Sequence, residues 1–284
     1  MSTVALDTIR VGHSPDSDDA FMFYALTHDK IDNGGLRFIH QLEDIETLNR
    51  RALQGELEVS AVSIHAFAHL ADRYALLASG SSMGDRYGPK LVASRPYSLD
   101  ELREKRPTIA IPGTLTTAYL TLQLCLGKDV PTVVVPFDQI IPAVLEGRAD
   151  VGLIIHEGQL YYPDMGLHQI ADLGQWWFEE TGLPLPLGGN VVRKDLGVER
   201  VDTIARLLRE SIVYALEHRE EALEYALTYA RDLDPALADR FVGMYVNDWT
   251  VDYGPRGRDA VRTLLTRAWD AGLIPTPVDV QFVG

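Results

Sequence analysis

Short apolar runs alternate with segments of helical spacing along most of this chain. Each run is four to six residues long, as strands commonly are, and the clearest lie at 9–12, 36–41, 59–63, 108–111, 132–136 and 151–155. The run 151–155 is typical of a strand buried on both faces of a parallel sheet. The segments between them carry apolar residues every three or four positions, and several end at a glycine, as a helix commonly does. The alternation predicts an α/β fold with right-handed crossovers.

The alternation is interrupted at two places, which predicts two lobes. A polar helical segment from Pro96 to Lys105 leads out of the first lobe, and an extended Pro- and Gly-rich segment, 182–190, leads back. Amphipathic helices then complete the first lobe. We therefore predict a first lobe made of 1–93 and 190–284 and a second made of 94–189. Two such lobes are typical of the type II periplasmic-binding-protein fold, which binds a small molecule in the cleft between them.

Further strands complete both lobes, and we predict them at 76–82, 90–94, 170–174 and 191–193. The cluster of aromatic residues at 176–178 follows the third of these. The apolar stripes of the C-terminal helices are more typical of core-facing surfaces than of a cofactor site.

Composition narrows the class of protein. The chain has 284 residues, and its 26 basic and 41 acidic side chains give a net charge of −15, which argues against nucleic-acid or anionic-membrane partners. Its one cysteine, Cys125, excludes an internal disulfide. Neither a secretory leader nor a run of about 18 apolar residues is visible, so we expect a cytoplasmic protein. The sequence leaves its oligomeric state open.

His156 is the first candidate for chemistry. It follows a buried apolar run directly, and in open α/β sheets ligands bind beyond the carboxyl ends of the strands. An unperturbed imidazole is largely neutral near pH 7 and can act there as a general base. A histidine at a strand end is also commonly a hydrogen-bonded structural residue, so both interpretations stay open.

Turns of small polar residues follow three of the predicted strands. Ser63 ends one strand, and Thr116 and Thr117 precede a helix, where free amides and two hydroxyls directed at one point would suit an anion. Ser14 and Asp18 lie in the turn after the first strand and are predicted to line the cleft, although capping of the next helix also explains Asp18. The glycine-containing loop 82–88 carries Arg86, which is predicted to reach the cleft and an anion.

Longer motifs are spread over nearly the whole length of the chain. The most specific are GLIIHE and WWxxxTGLPLPLG, and the others are GHSPDSDDAFMFYAL, EDIETLNRRAL, AVSIHAFAHLADRYALLASG, IPGTLTTAYLTL, RADVGLIIHEGQLYY and MYVND. Together these motifs resemble the menaquinone-biosynthesis family of the futalosine pathway. The family fold is the two-lobed binding-protein type. Relatives often have SPCPND where this chain has SPDSDD.

The resemblance assigns roles by position. His156 matches the catalytic base, and the substrate-binding positions match Ala61, Val62, Ser63, Thr116 and Thr117. Relatives often have lysine at the position of Ala61, so here the implied contact is through the backbone. Asn190, at the end of the LPLGGN segment, is predicted to line the cleft together with Ser14, Asp18 and Arg86.

The implied activity is a carbon–carbon lyase of menaquinone biosynthesis. The implied substrate is a small carboxylated molecule, cyclic dehypoxanthinyl futalosine, and the product is 1,4-dihydroxy-6-naphthoate. The resemblance implies no metal and no organic cofactor, and signatures of nucleotide or zinc sites are absent from the sequence. Two alternatives are chorismate dehydratase of the same pathway and a carboxylate-binding protein without catalysis.

Overall fold

Twelve strands and thirteen helices alternate along residues 7–229 and 234–284, which are the residues that the computed structural model describes. Residues 1–6, on which the expectation of no leader partly rests, lie outside them. The strands are β1 (Asp7–His13), β2 (Leu36–Leu42), β3 (Val59–Ser63), β4 (Tyr74–Leu77), β5 (Ser82–Gly84), β6 (Lys90–Ala93), β7 (Ile109–Ile111), β8 (Thr132–Val134), β9 (Val151–Ile154), β10 (His168–Asp172), β11 (Leu185–Arg193) and β12 (Phe282–Val283).

The helices vary from one turn to more than five. They are α1 (Ser17–Thr27), α2 (Ile45–Gln54), α3 (Ile64–Phe67), α4 (Leu99–Lys105), α5 (Thr117–Leu126), α6 (Ile140–Leu145), α7 (Gly158–Tyr161), α8 (Leu173–Thr181), α9 (Val198–Glu217), α10 (Arg219–Leu227), α11 (Pro235–Tyr245), α12 (Asp248–Val251) and α13 (Gly254–Asp270). None of these described helices is both long and apolar enough to cross a membrane.

The larger sheet has the strand order β12-β4-β11-β3-β1-β2, and β5 pairs with β11 at its side. β1 is parallel to both β2 and β3, whereas β11 is antiparallel to β3, β4 and β5. Every residue of β3 is buried, as its apolar run predicts. The pairing of β11 with β3 sets Asn190 opposite Ala61, so these two residues are neighbours in the middle of the sheet.

The smaller sheet has the order β10-β6-β9-β7-β8. β7 is parallel to β8 and β9, and β6 is antiparallel to β9 and β10. The two sheets with their helices form the two-lobed α/β architecture that the sequence predicts.

Sheet membership differs from the predicted lobe boundaries at two strands. β6 pairs with β9 in the smaller sheet, with Lys90 opposite Ile154, although the predicted boundary puts it in the first lobe. β11 lies wholly in the larger sheet, although the boundary at residue 190 divides it. An apolar run shows that a strand is buried, but it carries no information on which strands will pair with it. The division of the chain at 93/94 and 189/190 itself stays a prediction.

Local interactions and backbone conformation explain two further differences. The strand predicted at 170–174 ends at Asp172, because its carboxylate accepts hydrogen bonds from the amides of Gly174 and Gln175 and begins α8. The strand predicted at 76–82 is divided into β4 and β5 by Gly80, whose φ of +83° an extended strand does not use. The short elements α7, α12 and β12 were not predicted.

The C-terminal helices pack as their apolar stripes predict. Ile204, Leu207, Leu208 and Ile212 of α9 are buried against the apolar residues of α1 in the core of the larger lobe. α1 is buried nearly all round, so the turn that precedes it is held in a fixed place.

Candidate active site

A cavity of about 810 Å³, its open mouth included, lies between the two lobes. Its position between two lobes is typical of small-molecule sites. The larger lobe contributes most of the wall, and the smaller lobe contributes residues from the starts of α5 and α7. The lining residues are Ser14, Asp16, Asp18, Asp19, Ile45, Ala61, Val62, Ser63, Gly80, Ser82, Pro89, Thr116, Thr117, Ala118, Ile155, Gln159, Leu187, Gly188, Gly189, Asn190, Phe241 and Tyr245.

The turn between β1 and α1 makes one wall acidic. Ser14 and Asp18 both line the cavity, where the sequence predicts them, and the amide of Ser14 donates to Asp19 Oδ2 at 2.6 Å. Burial raises the pKa of Asp19 to about 6. Burial, together with the nearby carboxylates of Asp19, Asp16 and Glu157, raises the pKa of Asp18 well above its usual value. This wall therefore retains protons to a higher pH than solvated aspartates would.

The end of β3 supplies a second part of the wall. Ala61, Val62 and Ser63 all line the cavity. The side chain of Asn49 holds Ser63 at two points, since its Nδ2 donates to Ser63 Oγ at 3.0 Å and its Oδ1 accepts from the Ser63 amide at 2.9 Å. The backbone at the end of this strand is therefore rigidly placed.

Thr116 and Thr117 line the cavity at the start of α5, but their hydroxyls are already engaged within the protein. Thr116 Oγ1 caps the helix by accepting from the Tyr119 amide at 3.2 Å, and it donates to the carbonyl of Gly113. Thr117 Oγ1 donates to the carbonyl of Leu187 at 2.6 Å. The expectation of two hydroxyls directed at one ligand is thus not met. The amides of the first helical turn, which have no acceptor within the helix, remain the groups suited to an anion.

His65 holds the start of α5 from the other lobe. Its amide donates to Thr117 Oγ1 at 3.1 Å, and its ring Nδ1 lies 3.2 Å from the carbonyl oxygen of Thr116. Burial lowers the pKa of His65 to about 4, so the ring is neutral near pH 7 and Nδ1–H is the donor. The sequence around His65 gives no signal of this role, because its partners are about fifty positions away.

His156 lies two residues beyond β9 and is buried, but it is not among the residues that line the cavity. Its neighbours Ile155 and Gln159 do line the cavity. The amide of Gly158 donates to His156 Nδ1 at 3.0 Å, and Glu157 Oε2 is 4.0 Å from the same nitrogen. In this conformation the neutral ring carries its proton on Nε2. A Cβ on Gly158 would lie 2.6 Å from the ring, so only glycine permits this approach.

Arg86 does not lie among the lining residues, contrary to its predicted place. Its guanidinium lies 4.4 Å from the centre of the Phe178 ring, which holds it by a cation–π contact in the smaller lobe. Within the described chain the cavity is lined by three aspartates and by no lysine, arginine or histidine. An anionic ligand must therefore be held by neutral donors.

Tyr245 and Gln159 line the cavity and were not identified from the sequence. Tyr245, at the end of α11, donates its hydroxyl to Gln159 Oε1 at 3.1 Å, and this bond joins the C-terminal helices to the smaller lobe. Asn190, which was identified, lines the cavity from β11. Tyr245 lies in the MYVND motif, but its spacing from other site residues gives no signal of this contact.

The comparisons with known proteins agree over nearly the whole chain. A family model described as menaquinone biosynthesis matches residues 9–270. A protein of Thermus thermophilus named "1,4-dihydroxy-6-naphtoate synthase" is 42% identical over 96% of this chain and 98% of its own length. A protein of the same name from Streptomyces coelicolor is 39% identical over 96% of both chains.

Solved structures show the same fold. Protein AF1704 from Archaeoglobus fulgidus superposes with a TM-score of 0.89 and 50% identity, over 94% of this chain and 98% of that one. The alkanesulfonate-binding protein SsuA from Xanthomonas axonopodis superposes with a TM-score of 0.69 at 13% identity, over 96% and 97%. The second likeness concerns the fold alone, and it confirms the predicted periplasmic-binding-protein type.

Proposed function

This chain belongs to the menaquinone biosynthesis family and is an enzyme of the lyase class, and we propose that it converts cyclic dehypoxanthinyl futalosine to 1,4-dihydroxy-6-naphthoate. The observation that carries the proposal is the near full-length match, at 42% identity, to the Thermus protein named for that product. The cavity between the lobes is the site that we assign to this substrate.

The start of α5 binds the carboxylate of the substrate. Thr116, Thr117 and Ala118 line the cavity there, and the positive end of a ten-residue helix favours an anion. This role is supported by the lack of any cationic side chain among the lining residues described above.

His156 acts as the base that starts the cleavage. It removes a proton from the carbocycle or from a sugar hydroxyl, the carbon–carbon bond breaks, and its electrons complete the aromatic ring of the product while a sugar-derived fragment leaves. For this step His156 Nδ1 must exchange the Gly158 amide for the substrate proton, which requires a rearrangement of the loop on binding. The carboxylate of Glu157, 4.0 Å away, then stabilises the imidazolium.

Turnover of cyclic dehypoxanthinyl futalosine, followed by the mass and absorbance of the product, tests the function, and His156→Ala tests the base. We expect product from the wild type and a kcat at least about 100-fold lower in the variant, as is usual when a general base is removed. The matched control is His168→Ala, an exposed histidine in β10, which should leave kcat unchanged.

Other outcomes are decisive too. A His156→Ala enzyme with most of its turnover would contradict the assigned base and retain the function. No product from the wild type, with chorismate consumed instead, would replace the function by chorismate dehydratase. Binding of a carboxylate without conversion of either substrate would leave a carboxylate-binding protein.

A further inference from the structure

Asn190 presents an acceptor atom that no protein group uses. The residue is only 1% exposed and lines the cavity from β11. Its Nδ2 donates to the carbonyl of Gly80 at 3.0 Å, whereas its Oδ1 is buried and has no hydrogen-bond partner in the described structure. A buried oxygen without a donor is rare in a folded protein and calls for an explanation.

The orientation of this amide is determined by Gly80. Turning the amide over would set its oxygen against the Gly80 carbonyl oxygen, so Nδ2 stays on that side and Oδ1 stays on the other. Gly80 has a φ of +83°, and a Cβ there would lie 2.4 Å from Asn190 Nδ2. The glycine therefore allows the close contact that anchors the amide.

The surroundings select the group that Asn190 can bind. The cavity wall carries Asp16, Asp18 and Asp19 and no cationic side chain among its described residues, so a second anionic group of the ligand would be repelled. A neutral hydroxyl is instead a donor that suits both an amide oxygen and a carboxylate.

Asn190 is separated along β11 from the predicted carboxylate site at the start of α5. Leu187, whose carbonyl accepts from Thr117, and Asn190 are three residues apart on the same strand, which corresponds to about 10 Å. A ligand that places its carboxylate at the start of α5 would then bring a more distant part of its structure to Asn190.

We infer that Asn190 Oδ1 accepts a hydrogen bond from a hydroxyl group of the substrate and thereby selects hydroxylated ligands. The inference rests on the proposed function for the identity of the substrate. The bond supplies the buried oxygen with its missing donor, so it forms only in the complex. Asn190 is thus a specificity-determining residue in addition to the predicted base and carboxylate site.

The test is Asn190→Ala, with Asn247→Ala as the matched control. Asn247 also donates its Nδ2 to a carbonyl, that of Met244 at 2.9 Å, but its Oδ1 is satisfied by the Trp249 amide. The measurements are KM and kcat for cyclic dehypoxanthinyl futalosine, and the Kd values of 1,4-dihydroxy-6-naphthoate and of 2-naphthoate, which lacks both hydroxyls. Asn190→Ser gives the same test if the alanine variant does not fold.

We expect Asn190→Ala to raise KM about 10- to 100-fold and to leave the Kd of 2-naphthoate unchanged, because a lost buried hydrogen bond has an effect of that order. Asn247→Ala should change neither KM nor the Kd of 2-naphthoate. A raised Kd of 1,4-dihydroxy-6-naphthoate would assign the hydroxyl to the aromatic part of the substrate, and an unchanged Kd would assign it to the sugar part. Both results support the inference.

Two results would overturn it. One is a KM within about twofold of the wild-type value, and the other is an equal loss of affinity for 2-naphthoate, which would mean that Asn190 acts through the structure of the wall. Absence of turnover in the wild type would reject the proposed function instead, and the two Kd values would still test the hydroxyl contact.

Discussion

The aspartates of the β1–α1 turn are the residues whose charge state most affects the cavity. Asp18 is surrounded by the carboxyl groups of Asp16, Asp19 and Glu157, and its pKa is raised by burial and by these neighbours. A raised pKa means that the folded state binds the proton more tightly than the unfolded chain does. The stability that this proton provides is complete below about pH 4 and is lost as the pH rises through the folded pKa.

Asp18→Asn should therefore stabilise the protein at high pH and not at low pH. At pH 8 we expect the free energy of unfolding in urea to rise by about 1 kcal/mol, the size of one like-charge contact at 4 Å in water. At pH 4 the difference from the wild type should disappear. The control Asp164→Asn changes an exposed carboxylate and should stay within about 0.5 kcal/mol at both pH values. An equal gain at pH 4 and pH 8 would contradict the charge argument.

At the scale of an element, the start of α5 combines structure and binding. Thr116 caps the helix, His65 fixes its first carbonyl, and the carboxylate of Glu46 accepts from the Leu115 amide at 3.1 Å. Glu46 approaches so closely that a Cβ on Gly113 would lie 2.3 Å from it. Groups of the larger lobe thus hold the end of a helix that belongs to the smaller one.

Thr116→Ala should weaken both the helix and the predicted carboxylate site. The lost cap should lower the free energy of unfolding by about 1 kcal/mol, because one backbone amide of the first turn loses its acceptor. The frayed turn should also raise the Kd of 1,4-dihydroxy-6-naphthoate several-fold. Thr116→Ser retains the capping oxygen and should behave as the wild type in urea denaturation and in binding. Equal loss of affinity in both variants would show that the threonine methyl, and not the cap, is responsible.

At the scale of the whole molecule, the cavity depends on contacts that cross between the lobes. Tyr245 and Gln159 form one of these, and both side chains are buried. Closure of lobes around a ligand excludes water from a site, so we expect such a contact to affect binding more than the folding of either lobe.

Tyr245→Phe should loosen this connection with little change in volume. We expect KM for the proposed substrate to rise several-fold, because Gln159 Oε1 loses its donor. This rise corresponds to a loss of about 1 kcal/mol in the free energy of binding. A double-mutant cycle with Gln159→Leu measures the pair, and its coupling energy should be about 1 kcal/mol. A coupling near zero would mean that the hydroxyl contact contributes nothing to closure.

The sequence alone determined the features that depend on local physics. The apolar runs of β1, β3, β7 and β9, the glycine-terminated helices between them, and the Thr116 cap of α5 all follow from burial and capping within about ten residues. The two-lobed fold follows from their order, and the motifs identified the family. These features are local, so one sequence suffices to predict them.

Only the tertiary structure decided what meets across the cavity. It placed β6 in the smaller sheet, held Arg86 on Phe178, engaged the Thr117 hydroxyl with Leu187, and left the buried oxygen of Asn190, a residue of the cavity wall, without a hydrogen-bond partner. Each outcome depends on the pairing of segments that are tens of residues apart, and the period of apolar residues contains no information on that pairing. For the same reason the donors and acceptors that a ligand meets were settled by packing between the lobes.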